Sequence, residues 1–242
     1  MSVKKYVYLV SYPRSGQHYM QRMIERVTGE DDYCELYHCR VKSCPGSNAP
    51  ISERTPCQSG RKIQKTHDFD LNFPCQIESR YAVFIRNPLY SITSYYERET
   101  KNHGLVILKN GDGGNVSVKD TREAWLLFLK EKLIYWKEFA GKWHEKKGGN
   151  VKVFNYEKIV STEEAVQDFF NFCFDEDYSD RVSCLMKKQK ESLSRPDGHK
   201  LRSVSEFRYP ICEATNIARE IIGDELLSVT GYLDELLELQ SH

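Results

Sequence analysis

Apolar positions along the chain fall in short runs that switch between two periods. Residues 4–11 are rich in Val and Tyr and predict a buried strand. Pro13 and Gly16 break it, and from Gln17 to Val27 the apolar residues Tyr19, Met20, Met23, Ile24 and Val27 take helical spacing. A second short strand is expected over 61–66 and a third, strongly apolar, over Arg80–Ile85. Pro88 sits where the first turn of a helix tolerates it, and that helix runs to about Glu99. Thr121 to Lys147 reads as a long amphipathic helix, with Trp125, Leu126, Phe128, Leu129, Leu133, Trp136 and Phe139 on a broad stripe and Gly148-Gly149 at its end. A fourth strand covers Val151–Phe154. Ser161 and Glu164 fit a capping box that opens a helix to about Phe174, and one or two helices close the chain over 213–239. Between these lie an irregular excursion at 29–62, a polar, Gly-containing loop at 101–119 and a basic, irregular stretch at 190–210. Strands alternating with helices predict one α/β domain over residues 1–242, with a central parallel sheet flanked by helices. In such folds ligands bind beyond the carboxyl ends of the strands.

Composition narrows the partners. Lys+Arg and Asp+Glu both number 35, so the formal net charge is zero and there is no bulk pull toward nucleic acid or an anionic membrane. An anion site has to be built locally. No stretch approaches the ~20 apolar residues of a membrane span, and the N-terminal segment reads as a strand rather than a signal peptide, so a cytoplasmic location is expected. Cys34, Cys39, Cys44 and Cys57 cluster early, with His38 among them, but no Cys-x-x-Cys pair exists. Zinc ligands come in tighter knuckles, so free thiols and no metal are the reading, with a local disulfide in the 30–60 loop left open.

Four strand ends carry chemistry. Tyr12-Pro13-Arg14-Ser15-Gly16-Gln17-His18 joins the first strand to a helix, and a helix N-terminus presents free N–H groups and positive potential to an anion. Gly16 lets backbone approach closely, Arg14 adds a fixed cation, and Ser15, Gln17 and His18 add donors. The Walker A ending is missing, which argues against an ATPase or kinase of that type. Lys65-Thr66-His67 ends the second strand, where a His can act as general base or simply make a structural hydrogen bond. Arg86 leaves the third strand and Ser94 follows about two helical turns later, a pair suited to a phosphate. Tyr156-Glu157 follows the fourth strand.

In this order, these motifs resemble the sulfotransferases that use 3′-phosphoadenosine 5′-phosphosulfate (PAPS), over roughly residues 5–160. The resemblance implies a P-loop-nucleotide-hydrolase-like sulfotransferase fold, PAPS as co-substrate, 3′-phosphoadenosine 5′-phosphate (PAP) as product, and no metal. Arg14, Ser15, Gly16, Gln17, His18 and Tyr19 would meet the 5′-phosphosulfate, although Gln17 and His18 stand where the family usually has hydroxyls. His67 would be the base, with Arg14 stabilising charge beside it. Arg86 and Ser94 match the 3′-phosphate pair, and Tyr156 the adenine side. The family's late Arg-Lys-Gly loop is not clearly present, and Arg195 is the candidate for its 3′-phosphate contact. The acceptor would be a small molecule or carbohydrate offering a hydroxyl or amine, with loops 29–62 and 100–119 shaping its site. Tyr95, Tyr96 and Trp125 could line that site, although aromatics on helices are more often core. The alternatives are a non-catalytic nucleotide-binding protein of the same fold and a P-loop-type phosphotransferase. Oligomeric state is not legible.

Overall fold

A computed structural model describes residues 7–29, 33–35, 63–66, 80–103, 105–109, 114–191, 207 and 209–240. The described residues divide into two compact units.

The first unit is built on a five-stranded, all-parallel sheet in the order β2-β3-β1-β4-β7. Its strands are β1 (Val7–Ser11), β2 (Tyr33–Glu35), β3 (Ile63–Thr66), β4 (Arg80–Ile85) and β7 (Val151–Asn155). The central β1 is buried at all five positions, and β4 at five of six. A parallel sheet covered by helices reads as such continuous apolar runs. Helix α1 (Gln17–Thr28) supplies Met20, Met23, Ile24 and Val27 to the core, the one-sided spacing seen in the sequence. It stops at Gly29, whose φ of 76° puts it in the left-handed region and lets its N–H close on Glu25 O. Helices α4 (Tyr156–Ser161), α5 (Glu163–Cys173) and α6 (Ser179–Glu191) complete the unit. Phe84, Phe154 and Phe169 meet ring to ring, with centroids 5.6–5.8 Å apart. Each such buried ring contributes roughly 1.5–3 kcal/mol by removal from water.

The second unit gathers helices α2 (Pro88–His103), α3 (Arg122–Glu145), α7 (Ile211–Ile222), α8 (Asp224–Thr230) and α9 (Leu233–Gln240) with an antiparallel hairpin of β5 (Leu105–Lys109) and β6 (Asn115–Lys119). Residues 12–14 of the first loop group with it. Its core is the α3 stripe, where Trp125, Phe128, Leu129, Leu133, Trp136, Phe139 and Trp143 are buried.

Several expectations change. The 101–119 stretch is not a loop throughout: it holds the end of α2 and the β5–β6 hairpin, in which buried Val106 and Leu108 alternate with exposed Leu105 and Ile107. The capping residue of α5 is Thr162, which accepts from Ala165 N, while Ser161 closes α4 with its hydroxyl on Glu157 O. Strand β2 lies inside the 29–62 excursion, α4 and α6 are additional helices, and three helices rather than one or two close the chain. No helix among the described residues is long and apolar enough to cross a membrane.

Candidate active site

Because β1, β3, β4 and β7 are parallel, their carboxyl ends share one edge of the sheet. The motifs that follow β1, β4 and β7 leave from that edge. Two groups of candidate residues are described, one in each unit.

The first group surrounds the start of α1. Gly16 is the N-cap at φ 84°, and no side chain caps the helix. No acidic residue lies in its first turn, whereas α5 and α8 each begin with two acids. The N–H groups of that turn therefore keep their positive potential. Gly16 is required twice, by its φ and by Tyr156. A Cβ at position 16 would stand 1.9 Å from Tyr156 Cε2. The Tyr156 ring is buried and meets the Tyr19 ring edge-on at 6.2 Å. Three of the expected residues, Gly16, Tyr19 and Tyr156, thus meet directly. Ser15 is 1% exposed, and its Oγ has no hydrogen-bond partner among the described residues. Gln17 is buried and turns its amide back to donate to Leu9 O at 3.4 Å, toward β1. The His18 side chain lies outside the described residues.

The second group assembles around Arg14, the one described non-glycine residue with positive φ, at 66°. Arg14 Nε donates to Ser94 Oγ at 3.3 Å, and Arg86 Nη1 donates to Arg14 O at 2.9 Å. Arg86 is 9% exposed. Its own carbonyl accepts the indole N–H of Trp136 at 3.0 Å, which fixes the chain where it leaves β4. Asn87 follows, wholly buried, with Oδ1 accepting from Leu89 N at 3.0 Å and Tyr90 N at 3.4 Å. It therefore caps α2, which carries Ser94. Arg14, Arg86 and Ser94 are brought together across 72 and 80 positions of sequence. Trp136 and Asn87 were not singled out for this support: a Trp on an apolar stripe looks like any core Trp, although an Asn one residue before a helical Pro is a legible cap signal.

Tyr96 and Trp125 are buried and line a small recess with Thr93, Thr100, Phe207 and Tyr209. Tyr96 and Tyr209 both donate to Asp120, at 2.7 and 2.8 Å. Burial, then the Asp120 hydrogen bond, push the Tyr96 phenol well above its ordinary value, so it stays a neutral donor. His67 and Arg195 lie outside the described residues, as do Cys39, Cys44, Cys57 and Cys75 of the cysteine set. Among the described residues no His, Cys, Asp and Glu cluster could hold a metal ion.

The sequence matches no family model and no curated protein. Among solved structures the chain is similar to mouse sulfotransferase SULT7A1 complexed with PAP. The two are 17% identical, with a TM-score of 0.53, over 100% of this chain and 90% of that one. The central parallel sheet with flanking helices is the fold of a sulfotransferase.

Proposed function

We propose that this chain is a PAPS-dependent sulfotransferase that moves a sulfuryl group to a hydroxyl or amine of a small-molecule or carbohydrate acceptor. The observation that carries the reading is the cluster of Arg14, Arg86 and Ser94, residues a phosphate site needs and which only the fold brings together. The start of α1, taken by itself, has the features of an anion site. It combines an uncapped helix N-terminus with the buried Ser15 hydroxyl, which has no partner among the described residues. The PAP complex of the mouse enzyme of this fold supports the same choice of ligand.

In this reading Arg86 and Ser94 hold the 3′-phosphate and so separate PAPS from nucleotides without one. Ser15 and the first N–H groups of α1 hold the oxygens of the departing 5′-phosphate, where preorganised donors act without reorganising. Arg14 adds a cation to phosphate recognition. His67 takes the acceptor's proton as its oxygen or nitrogen bonds to sulfur and the bond from sulfur to the bridging phosphate oxygen breaks. Protein cations and N–H groups meet the charge that develops on the leaving phosphate, so the reading calls for no metal. The location expected is cytoplasmic.

The test has two readouts. PAP without magnesium should raise the melting temperature, and ATP with magnesium should not. With labelled PAPS and an acceptor panel, wild-type protein should transfer label, and His67→Ala should lose transfer while keeping the PAP shift. A melting shift with ATP and magnesium alone would sink the reading in favour of a phosphotransferase. Binding of PAP with no transfer to any acceptor would leave a nucleotide-binding protein of this fold.

A further inference from the structure

Helix α3 buries one face and carries an apolar stripe on the other. Leu127 and Ile134 are 58% and 51% exposed, and with Val229 of α8 at 50% they exceed every other large apolar side chain among the described residues. Exposed apolar side chains need no explanation when they are scattered singly. These are not scattered. Seven residues make almost two helical turns, so Leu127, Ile134 and Gly141 lie in one line along α3. Gly141 offers no side chain at the end of that line, and a Cβ there would lie 3.8 Å from Leu226 Cδ2 of α8. Val229 follows Leu226 by three positions, on the same side of α8. All of these residues belong to the second unit.

The charges beside the stripe select what covers it. Lys130 and Glu138 are exposed, one on each side of Ile134 at equal spacing, and neither has a hydrogen bond or ion pair among the described residues. When two copies of a helix pack antiparallel about a two-fold axis at Ile134, each residue meets the one equally far beyond the axis. Lys130 of each copy then meets Glu138 of the other, and Leu127 meets Gly141, where the missing side chain leaves room for it beside Leu226. Parallel packing would instead set Lys130 on Lys130 and Glu138 on Glu138. Glu123 and Glu145 meet at the exposed ends of the antiparallel contact, where salt screens like charges. We infer that the outer face of α3 is a self-association surface, on which a second copy of this chain packs antiparallel with Ile134 at the two-fold axis. The inference does not depend on the nucleotide reading. Leu127, Ile134 and Val229 from each copy make a small contact, so the dimer is reversible, with a Kd on the order of 10 µM.

Sedimentation velocity of the full chain, at concentrations on both sides of that Kd, should show a monomer–dimer equilibrium. Ile134→Glu puts two carboxylates at the axis and should leave only monomer. Lys130→Glu and Glu138→Lys should each weaken the dimer about tenfold, because two exposed pairs turn repulsive. Mixed in equal amounts, these two variants should recover wild-type affinity as a heterodimer, since every pair is again opposite in sign. A merely structural effect of either substitution does not produce that recovery. Wild-type protein that stays monomeric well above that Kd would overturn the inference and leave the stripe to a different partner. A dimer that survives Ile134→Glu, or a mixture no stronger than its components, would overturn it too. Should Ile134→Glu not fold, the charge variants, which change exposed side chains only, carry the test.

Discussion

Gly16 shows how much a single position constrains the loop. The sequence marked it as a glycine that lets an anion near backbone. The structure adds that the ring of Tyr156 occupies the space of the missing Cβ. Gly16→Ala must therefore pay for a positive φ and displace a buried ring wedged against Tyr19. A loss of about 2–4 kcal/mol is expected from the two effects together. Urea denaturation of Gly16→Ala, Tyr156→Ala and the double variant checks it. The double variant should be more stable than the summed single losses, because the steric part vanishes with the ring. Simple additivity would mean that the ring is not what Gly16 accommodates. Position by position, the sequence marked charged or special residues at strand ends, and the structure brings three of them, Arg14, Arg86 and Ser94, together. The sequence was silent on Trp136, because an indole in an apolar stripe carries no mark of the carbonyl it meets.

At the scale of elements, the periodicity located β4 to the residue and α1 and α3 to within a residue or two. These elements bury a full face, so their pattern is unambiguous. Helix α4, six residues long, is too short to show a period, and α6 hides Val182 and Met186 among four lysine and arginine residues. The β5–β6 hairpin was obscured by its glycines, although Asn110-Gly111 between alternating apolar runs is a hairpin signal. The cap of α5 was displaced by one residue for a physical reason. Ser161 is already used, its hydroxyl bonded back to Glu157 O and Lys158 O, while extended Thr162 has the geometry to receive Ala165 N. Thr162→Ala should therefore cost about 1 kcal/mol, and Ser161→Ala within about 0.5 kcal/mol. Equilibrium denaturation of the two variants decides it, and the reverse order would restore Ser161 as the cap.

At the scale of the molecule, zero net charge predicts no bulk pull toward polyanions but does not say where local charge gathers. Thiol chemistry offers a probe of how the first unit opens. Cys184 and Cys212 are exposed, and Cys173 is buried at the end of α5, in the same unit as Ser15 and Gly16. Burial holds the Cys173 thiol well above its ordinary range despite the opposing charges of Arg80 and Lys152, so it is neither accessible nor ionised in the native state. Iodoacetamide, followed by peptide mass spectrometry, should modify Cys184 and Cys212 at once and Cys173 only through opening. A ligand that binds the native unit lowers the open population by the factor 1 + [L]/Kd, about a hundredfold at 100 times Kd. PAP at that level should slow Cys173 labelling by about the same factor and leave Cys184 and Cys212 unchanged, provided that opening at α5 also dismantles the start of α1. The core makes that coupling a physical expectation, because Phe170 and Cys173 of α5 belong to the same buried cluster as Met20, Met23 and Ile24 of α1. An unchanged Cys173 rate in the presence of bound PAP would show that α5 detaches on its own, and that the start of α1 survives its loss.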